Sequence, residues 1–179
     1  SILEKLAKAA SSEKYAKSLA GDAAIDPEVL KDPLRPIMER LVPADYFLIT
    51  FTLPAEFRGL AAAHPRSTYD LLLRGAWETV RAFSQNDRQL AGTPGAIAVL
   101  HTHTRRLDYH PHVHLVVPAA AVDAEQKRWR TKRRRGKGYL FNHKALAKVF
   151  RAKVLTGMAA AGLTRPERYP AAWVVDCKA

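Results

Sequence analysis

Cysteine is nearly absent: Cys177 is the single one in 179 residues. One thiol leaves no internal disulfide and no cysteine-built zinc cluster, which suits a reducing compartment. Long apolar runs are missing too. None approaches the roughly 20 residues that a membrane-crossing helix needs, and the N-terminus lacks the charged-then-apolar pattern of an export signal. The expectation is a cytoplasmic protein with no membrane partner. Negative charge is in deficit, with 17 Asp and Glu against 29 Lys and Arg and a formal net charge of +12. Such a surface favours phosphate backbones and, less specifically, anionic lipid, so a nucleic acid is the leading partner. Internal repeats and low-complexity tracts are also lacking.

What is present suffices for one good core, since 47% of the residues are hydrophobic. Residues 1–41 read as a peripheral helical segment, with one helix over 1–20 and a short, proline-broken one over 27–41; the main domain is expected over 42–179. Tyr46-Phe47-Leu48-Ile49-Thr50-Phe51-Thr52 is aromatic and β-branched and closes at Leu53-Pro54, which suits a central strand buried on both faces. From Pro65 to Phe83 the apolar residues Tyr69, Leu72, Leu73, Ala76, Trp77, Val80 and Phe83 recur at spacings of three and four, giving one amphipathic helix. Strands are expected over Ala96 to His101 and Val113 to Val117, antiparallel neighbours joined by the polar stretch from Thr104 to Tyr109. The run Lys127 to Gly138 is almost devoid of apolar residues and reads as a solvated loop or ribbon tip. Asn142 caps a helix over about His143 to Ala161, with Leu146, Val149, Phe150, Val154, Leu155 and Met158 inward and Gly162 ending it. A last strand covers Trp173 to Asp176. This order predicts an α/β (α+β) fold with helices packed on a largely antiparallel sheet.

Five of the seven histidines, His101, His103, His110, His112 and His114, fall within fourteen positions. Side chains alternate along a strand, so His112 and His114 share a face at roughly 7 Å and can converge on one metal ion. Pro111 should break the ladder and make His110 a less regular contributor. If the preceding strand pairs through a turn near Arg105 to Asp108, either His101 or His103 lies opposite the pair. Three histidines from two strands leave coordination positions open, which a catalytic metal needs and a structural one lacks.

The segment His112-Val113-His114 resembles the His-hydrophobic-His signature of the HUH endonucleases. The chain is similar, more closely, to the rolling-circle bacterial insertion-sequence transposases of the ninety-one family. The similarity is carried by Tyr46 to Pro54, Tyr69-Asp70-Leu71-Leu72, Pro94 to Thr102, His110 to Pro118 and Trp173 to Lys178, in the same order. This resemblance implies a ferredoxin-like or RRM-like sheet in a bacterial protein. It also implies a metal held by His112, His114 and a third histidine whose matching position is His101, eleven residues before His112. The implied reaction is nicking and transfer of single-stranded DNA, or of a hairpin at an element end, during DNA transposition and recombination. A tyrosine attacks the scissile phosphate and leaves a phosphotyrosine and a free 3′ hydroxyl, so joining needs no ATP. The family's tyrosines follow the Val174-Val175-Asp176-Cys177-Lys178 segment by about one helix, and the nucleophile is expected beyond Ala179. Tyr109, close to the histidines, reads instead as a turn aromatic. The family's cysteine-rich N-terminal zinc module has no counterpart here.

The expected ion is Mg²⁺ or Mn²⁺; because imidazole suits softer ions, Mn²⁺ or Ni²⁺ should bind the free protein better than Mg²⁺. DNA contacts are expected from Arg105 and Arg106 beside the histidine strand, and from Lys127, Arg128, Arg130, Lys132, Arg133, Arg134, Arg135 and Lys137 in the basic run. Trp129 and Tyr139 flank that run and either stack on unpaired bases or pack. Asp108 and Asp70 are candidate partners for a ligating imidazole. Two other readings stand beside this one: a non-catalytic single-strand binding domain with an RRM-like sheet, and a metal-dependent hydrolase that uses bound water.

Overall fold

The alternation of β-branched and aromatic residues in the first strand sets the layout of the whole sheet. The computed structural model describes residues 41–104, 106–133 and 139–178. The chain divides into two units after Pro43, and the elements described all belong to the second, Ala44–Ala179. They run β1 (Tyr46–Thr52), a 3-10 turn (Ala55–Phe57), α1 (Arg58–Ala63), α2 (Pro65–Asn86), β2 (Thr93–Pro94), β3 (Ile97–His103), β4 (Tyr109–Pro118), β5 (Ala120–Asp123), β6 (Arg128–Thr131), α3 (His143–Ala160) and β7 (Val175–Lys178). The helices expected over 1–20 and 27–41 fall outside the described residues, apart from the bend at Leu41.

Four strands form one antiparallel sheet in the order β3-β4-β1-β7, and β2, β5 and β6 form a second, three-stranded one. The α+β architecture with helices on an antiparallel sheet is the one the sequence pattern predicts. On one face Phe47, Ile49 and Phe51 of β1 and Val113, Leu115 and Val117 of β4 are all but inaccessible to solvent. Leu72, Ala76 and Val80 of α2 and Leu146, Phe150 and Val154 of α3 close over them, and the Phe51 and Phe150 rings meet at 4.8 Å. The two helices approach closely because Gly75 faces Val154 and Gly157 faces Leu71; a Cβ on Gly75 would sit 2.9 Å from Val154 Cγ2. Asn142 caps α3 by accepting a hydrogen bond from the Ala145 amide at 3.0 Å, and Gly162, at φ +67°, carries the chain away from it.

Three expectations change in detail. β1 is fully buried on one face only, since its burial alternates residue by residue; among the described residues no helix covers the other face. β4 starts at Tyr109, four residues before the expected Val113; its ladder is interrupted at Pro111 as expected, by a register shift between His101 and His103, and the Pro111 carbonyl accepts the Leu53 amide at 3.3 Å. The last strand lies two residues later than expected, because Trp173 turns into the core against Phe57 at 5.3 Å and Phe150 at 5.6 Å. The basic run, in turn, is ribbon at its start: Arg128–Thr131 pairs with Ala120–Asp123, and residues 134–138 lie outside the described ones.

Candidate metal centre

The side of the sheet opposite the helices collects the polar half of each strand's alternation. Register puts His101 directly opposite His112, and Val99 opposite His114, while Thr50 and Thr52 of β1 stand across from His114 and His112 on the other flank. The three imidazoles therefore meet: ring centres are 5.3 Å apart for His101 and His112, 4.7 Å for His101 and His114, and 4.9 Å for His112 and His114. One nitrogen from each lies within 4.8 Å of the others. A single ion needs them no more than about 4.2 Å apart, twice a typical imidazole–metal bond, a gap that small ring rotations close. By donor type, number and spacing the three residues fit a divalent ion.

The orientation of two of the rings is fixed from behind. His112 Nδ1–H donates to the His110 carbonyl at 2.7 Å, and His114 Nδ1 is 3.0 Å from Thr50 Oγ1. With Nδ1–H donating to a carbonyl, His112 keeps its lone pair on Nε2, and the Thr50 hydroxyl, when it accepts from His114 Nδ1–H, leaves His114 in the same tautomer, which is how outer hydrogen bonds select the ligating nitrogen. Burial, and then the neighbouring His101 and His112, push the His114 pKa down to about 4, so this ring is neutral and able to ligate at ordinary pH.

The remaining candidates are placed elsewhere. His103 lies past the register shift, its Nδ1 2.9 Å from Thr102 Oγ1 and its ring against Tyr109. His110 Nδ1 accepts from Arg58 Nη2 at 2.9 Å; burial first, then Arg58 and His112, lower its pKa despite Asp108. Tyr109 opens β4 rather than sitting in the turn. Its hydroxyl is 2.9 Å from that of Tyr69 on α2, and burial, followed by that contact, pushes its pKa up to about 12, unfavourable for a nucleophile. Asp108 accepts from Thr104 Oγ1 at 3.2 Å and Asp70 is exposed on α2; among the described residues neither bonds a ligating imidazole.

Among the cations, Arg106 is exposed in the β3–β4 turn, and Lys127, Arg128 and Arg133 are exposed on or beside the β5–β6 ribbon. Arg130 is tied instead to Asp123 at 3.6 Å and to the Gln89 and Arg88 carbonyls, and Lys132 to Asp87, the Leu140 carbonyl and the Phe141 ring. Arg105, Arg134, Arg135 and Lys137 lie outside the described residues. Trp129 and Tyr139 are both largely exposed, Trp129 opposite Val122 and Tyr139 against the His143 ring. The sequence reading missed Thr50 and Arg58. Thr50 could have been found, because Thr50 and Thr52 are the polar alternates of an otherwise apolar strand and so mark its open face. Nothing local marks Arg58, whose position depends on tertiary folding.

Residues 95–178 match the profile of a family described as "Putative transposase". A putative transposase of Sinorhizobium fredii is 36% identical over 89 residues, which are 50% of this chain and 22% of that relative. Among solved structures, the conjugative relaxase TrwC complexed with a 27-mer DNA comprising its recognition hairpin and cleavage site superposes with a TM-score of 0.53 at 17% identity, over 69% of this chain and 46% of that one. A copper-bound complex of TrwC with oriT DNA gives a TM-score of 0.52 at 17% identity, over 92% and 62%. The chain thus spans about a fifth of the curated relative and about half of the first relaxase chain. Residues 95–178 are thus similar to a family of putative transposases, and the fold is similar to that of the relaxase TrwC, in line with the sequence resemblance.

Proposed function

We propose that residues 42–179 hold the metal-binding half of the active site of a transposase that nicks and transfers single-stranded DNA, with residues 1–41 peripheral to it. The observation that carries this reading is the convergence of His101, His112 and His114 on the sheet face opposite the described helices, within a segment that matches a transposase family. Once bound, Mg²⁺ or Mn²⁺ would polarise the scissile phosphate and neutralise charge on it. The chain's own residues supply the rest: His101, His112 and His114 offer the nitrogens, while Thr50 and the His110 carbonyl hold two of the rings in place. A tyrosine from outside the described residues would make the covalent link. Tyr109 does not suit that role, with its hydroxyl engaged by Tyr69. The DNA is read as a single strand or a hairpin end, by analogy with the oriT DNA bound by the relaxases. Arg106, Lys127, Arg128 and Arg133 are exposed candidates for its phosphates; Arg105, Arg134, Arg135 and Lys137 join them on charge alone. Among the described residues no helix is long and apolar enough to cross a membrane.

Calorimetric titration with Mn²⁺, Ni²⁺ and Mg²⁺ tests the metal half. Binding should be tighter for Mn²⁺ and Ni²⁺ than for Mg²⁺, and His112→Ala should weaken it by about 100-fold or more. Unchanged binding in His112→Ala would sink the site and leave the non-catalytic single-strand binder as the better reading. For the chemical half, the full transposase should give metal-dependent nicks and a protein–DNA adduct that survives denaturation; nicks without an adduct would indicate hydrolysis by water.

A further inference from the structure

A further cation, Arg58, stands beside the histidines. Arg58 opens α1, directly after the 3-10 turn that follows β1, and the Leu53–Pro111 backbone bond fixes this corner against the start of β4. Its side chain is half-buried, and Nη2 donates to His110 Nδ1 at 2.9 Å. Its Nε is fully buried and finds no acceptor, and among the described residues no carboxylate forms an ion pair with the guanidinium. A half-buried guanidinium bound only to a neutral ring lacks the anion that its charge and remaining N–H groups call for. The contact also sets the tautomer of His110: with Nδ1 accepting, the ring proton is on Nε2, and that ring lies 5.6 Å from the His112 ring. Two kinds of N–H donor thus stand beside the three imidazoles; the acids nearby are Asp108, which acts on His110 through its charge, and Asp176, which lies in register with Thr50 and pairs with Lys178.

We propose that Arg58 is a phosphate-binding residue of this site, gripping a non-bridging oxygen of the DNA phosphodiester that lies at the histidines, with His110 Nε2–H as a second donor. The proposal rests on the preceding reading that single-stranded DNA meets this face, but not on a bound ion. Arginine suits the task better than lysine, since its planar fork can give two parallel bonds to one phosphate.

The test measures the affinity of an oligothymidylate about six nucleotides long for the wild type, Arg58→Gln and Arg58→Lys. Each is titrated over a series of salt concentrations, once with Mn²⁺ and once with chelator, with thermal midpoints and Mn²⁺ affinities recorded alongside. Arg58→Gln should lower oligonucleotide affinity about tenfold and make the log-affinity against log-salt slope shallower by about 0.7, one phosphate contact on a single strand. Arg58→Lys should restore the slope but only part of the affinity, and Mn²⁺ affinity should stay within about twofold in both. An unchanged slope in Arg58→Gln would overturn the proposal. So would a loss of Mn²⁺ affinity together with a lower thermal midpoint, which would make Arg58 a prop for the end of β4. If the wild type takes up no Mn²⁺, the metal reading fails, and the slope difference in chelator still decides the role of Arg58.

Discussion

Two regions of this molecule are rich in positive or potentially positive side chains, and they treat them in opposite ways. Along the β5–β6 ribbon, acids and carbonyls neutralise part of the charge: Asp123 and two carbonyls hold Arg130, and Asp87 and the Leu140 carbonyl hold Lys132. At the histidine end of the main sheet the partners of the imidazoles are a hydroxyl and a carbonyl, and Arg58 bonds a ring nitrogen. A cation answered by a carboxylate is a tie within the fold. One answered by a neutral acceptor, or by nothing, keeps its capacity for an outside partner. Net charge read from a sequence counts both alike, and only the fold separates them.

Lys132 offers the strongest way to break this comparison. If it is a tie, Lys132→Met should cost about 1–3 kcal/mol of stability, because the part-buried Asp87 carboxylate loses its partner, and should leave oligonucleotide affinity nearly unchanged. Chemical denaturation and a binding titration on the same variant check both halves. The pH dependence follows from Asp87. Burial raises its pKa, but the Lys132 ammonium and the Gln89 and Leu90 amides outweigh that, and the net shift is downward from 3.8. A depressed folded pKa adds stability that is present above the unfolded value and lost as pH falls through the folded one. The gap between wild type and Lys132→Met should therefore be widest at neutral pH and should narrow below about pH 4. A gap that stays constant into acid would mean that Lys132 works through its packing on Phe141 instead.

At the other region the corresponding test is Thr50→Val, which removes the hydroxyl behind His114 while keeping the shape of the strand. Outer partners of this kind are worth about 10-fold in metal affinity at the low end of the usual range. Mn²⁺ affinity should fall by about that factor, with the Mn²⁺-free protein folding as before. A Thr50→Val protein that binds Mn²⁺ as well as the wild type would show that the His114 ring is held by its strand alone, and that the neutral-partner side of the comparison is idle.

How much of this could be read beforehand depends on how local each signal is. The β1 strand, the α2 helix and the Asn142 cap of α3 follow from patterns within a few residues, and they are as expected. His112 and His114 were legible as a pair for the same reason. The choice between His101 and His103 was not legible from spacing, because it turns on a register shift at Pro111; the family resemblance supplied His101, and in the fold His101 is the one that meets the pair. The end of β1 illustrates a different limit: an apolar run of aromatic and β-branched residues looks doubly buried, yet Thr50 and Thr52 already marked a face that is only part-buried. The contacts of Arg58 with His110 and of Lys132 with Asp87 were invisible, because they join segments more than 40 residues apart.

Arg128 provides the smallest and most discriminating effect. It sits in β6 opposite Asp123, two positions from the tied Arg130, is exposed, and its side chain makes no hydrogen bond or ion pair among the described residues. If partner status rather than position decides what a ribbon cation does, Arg128→Gln should change stability by no more than about 0.5 kcal/mol. It should nevertheless make the salt slope of oligonucleotide binding shallower by about 0.7. Arg130→Gln, made in parallel, should do the reverse, with a measurable loss of stability and an unchanged slope. Equal slopes for the two variants would mean that the Asp123 contact does not withhold Arg130 from DNA. The ribbon would then act as one diffuse cationic surface, and the division between tied and available charge would hold only where the cation also hydrogen-bonds its carboxylate, as Lys132 does Asp87.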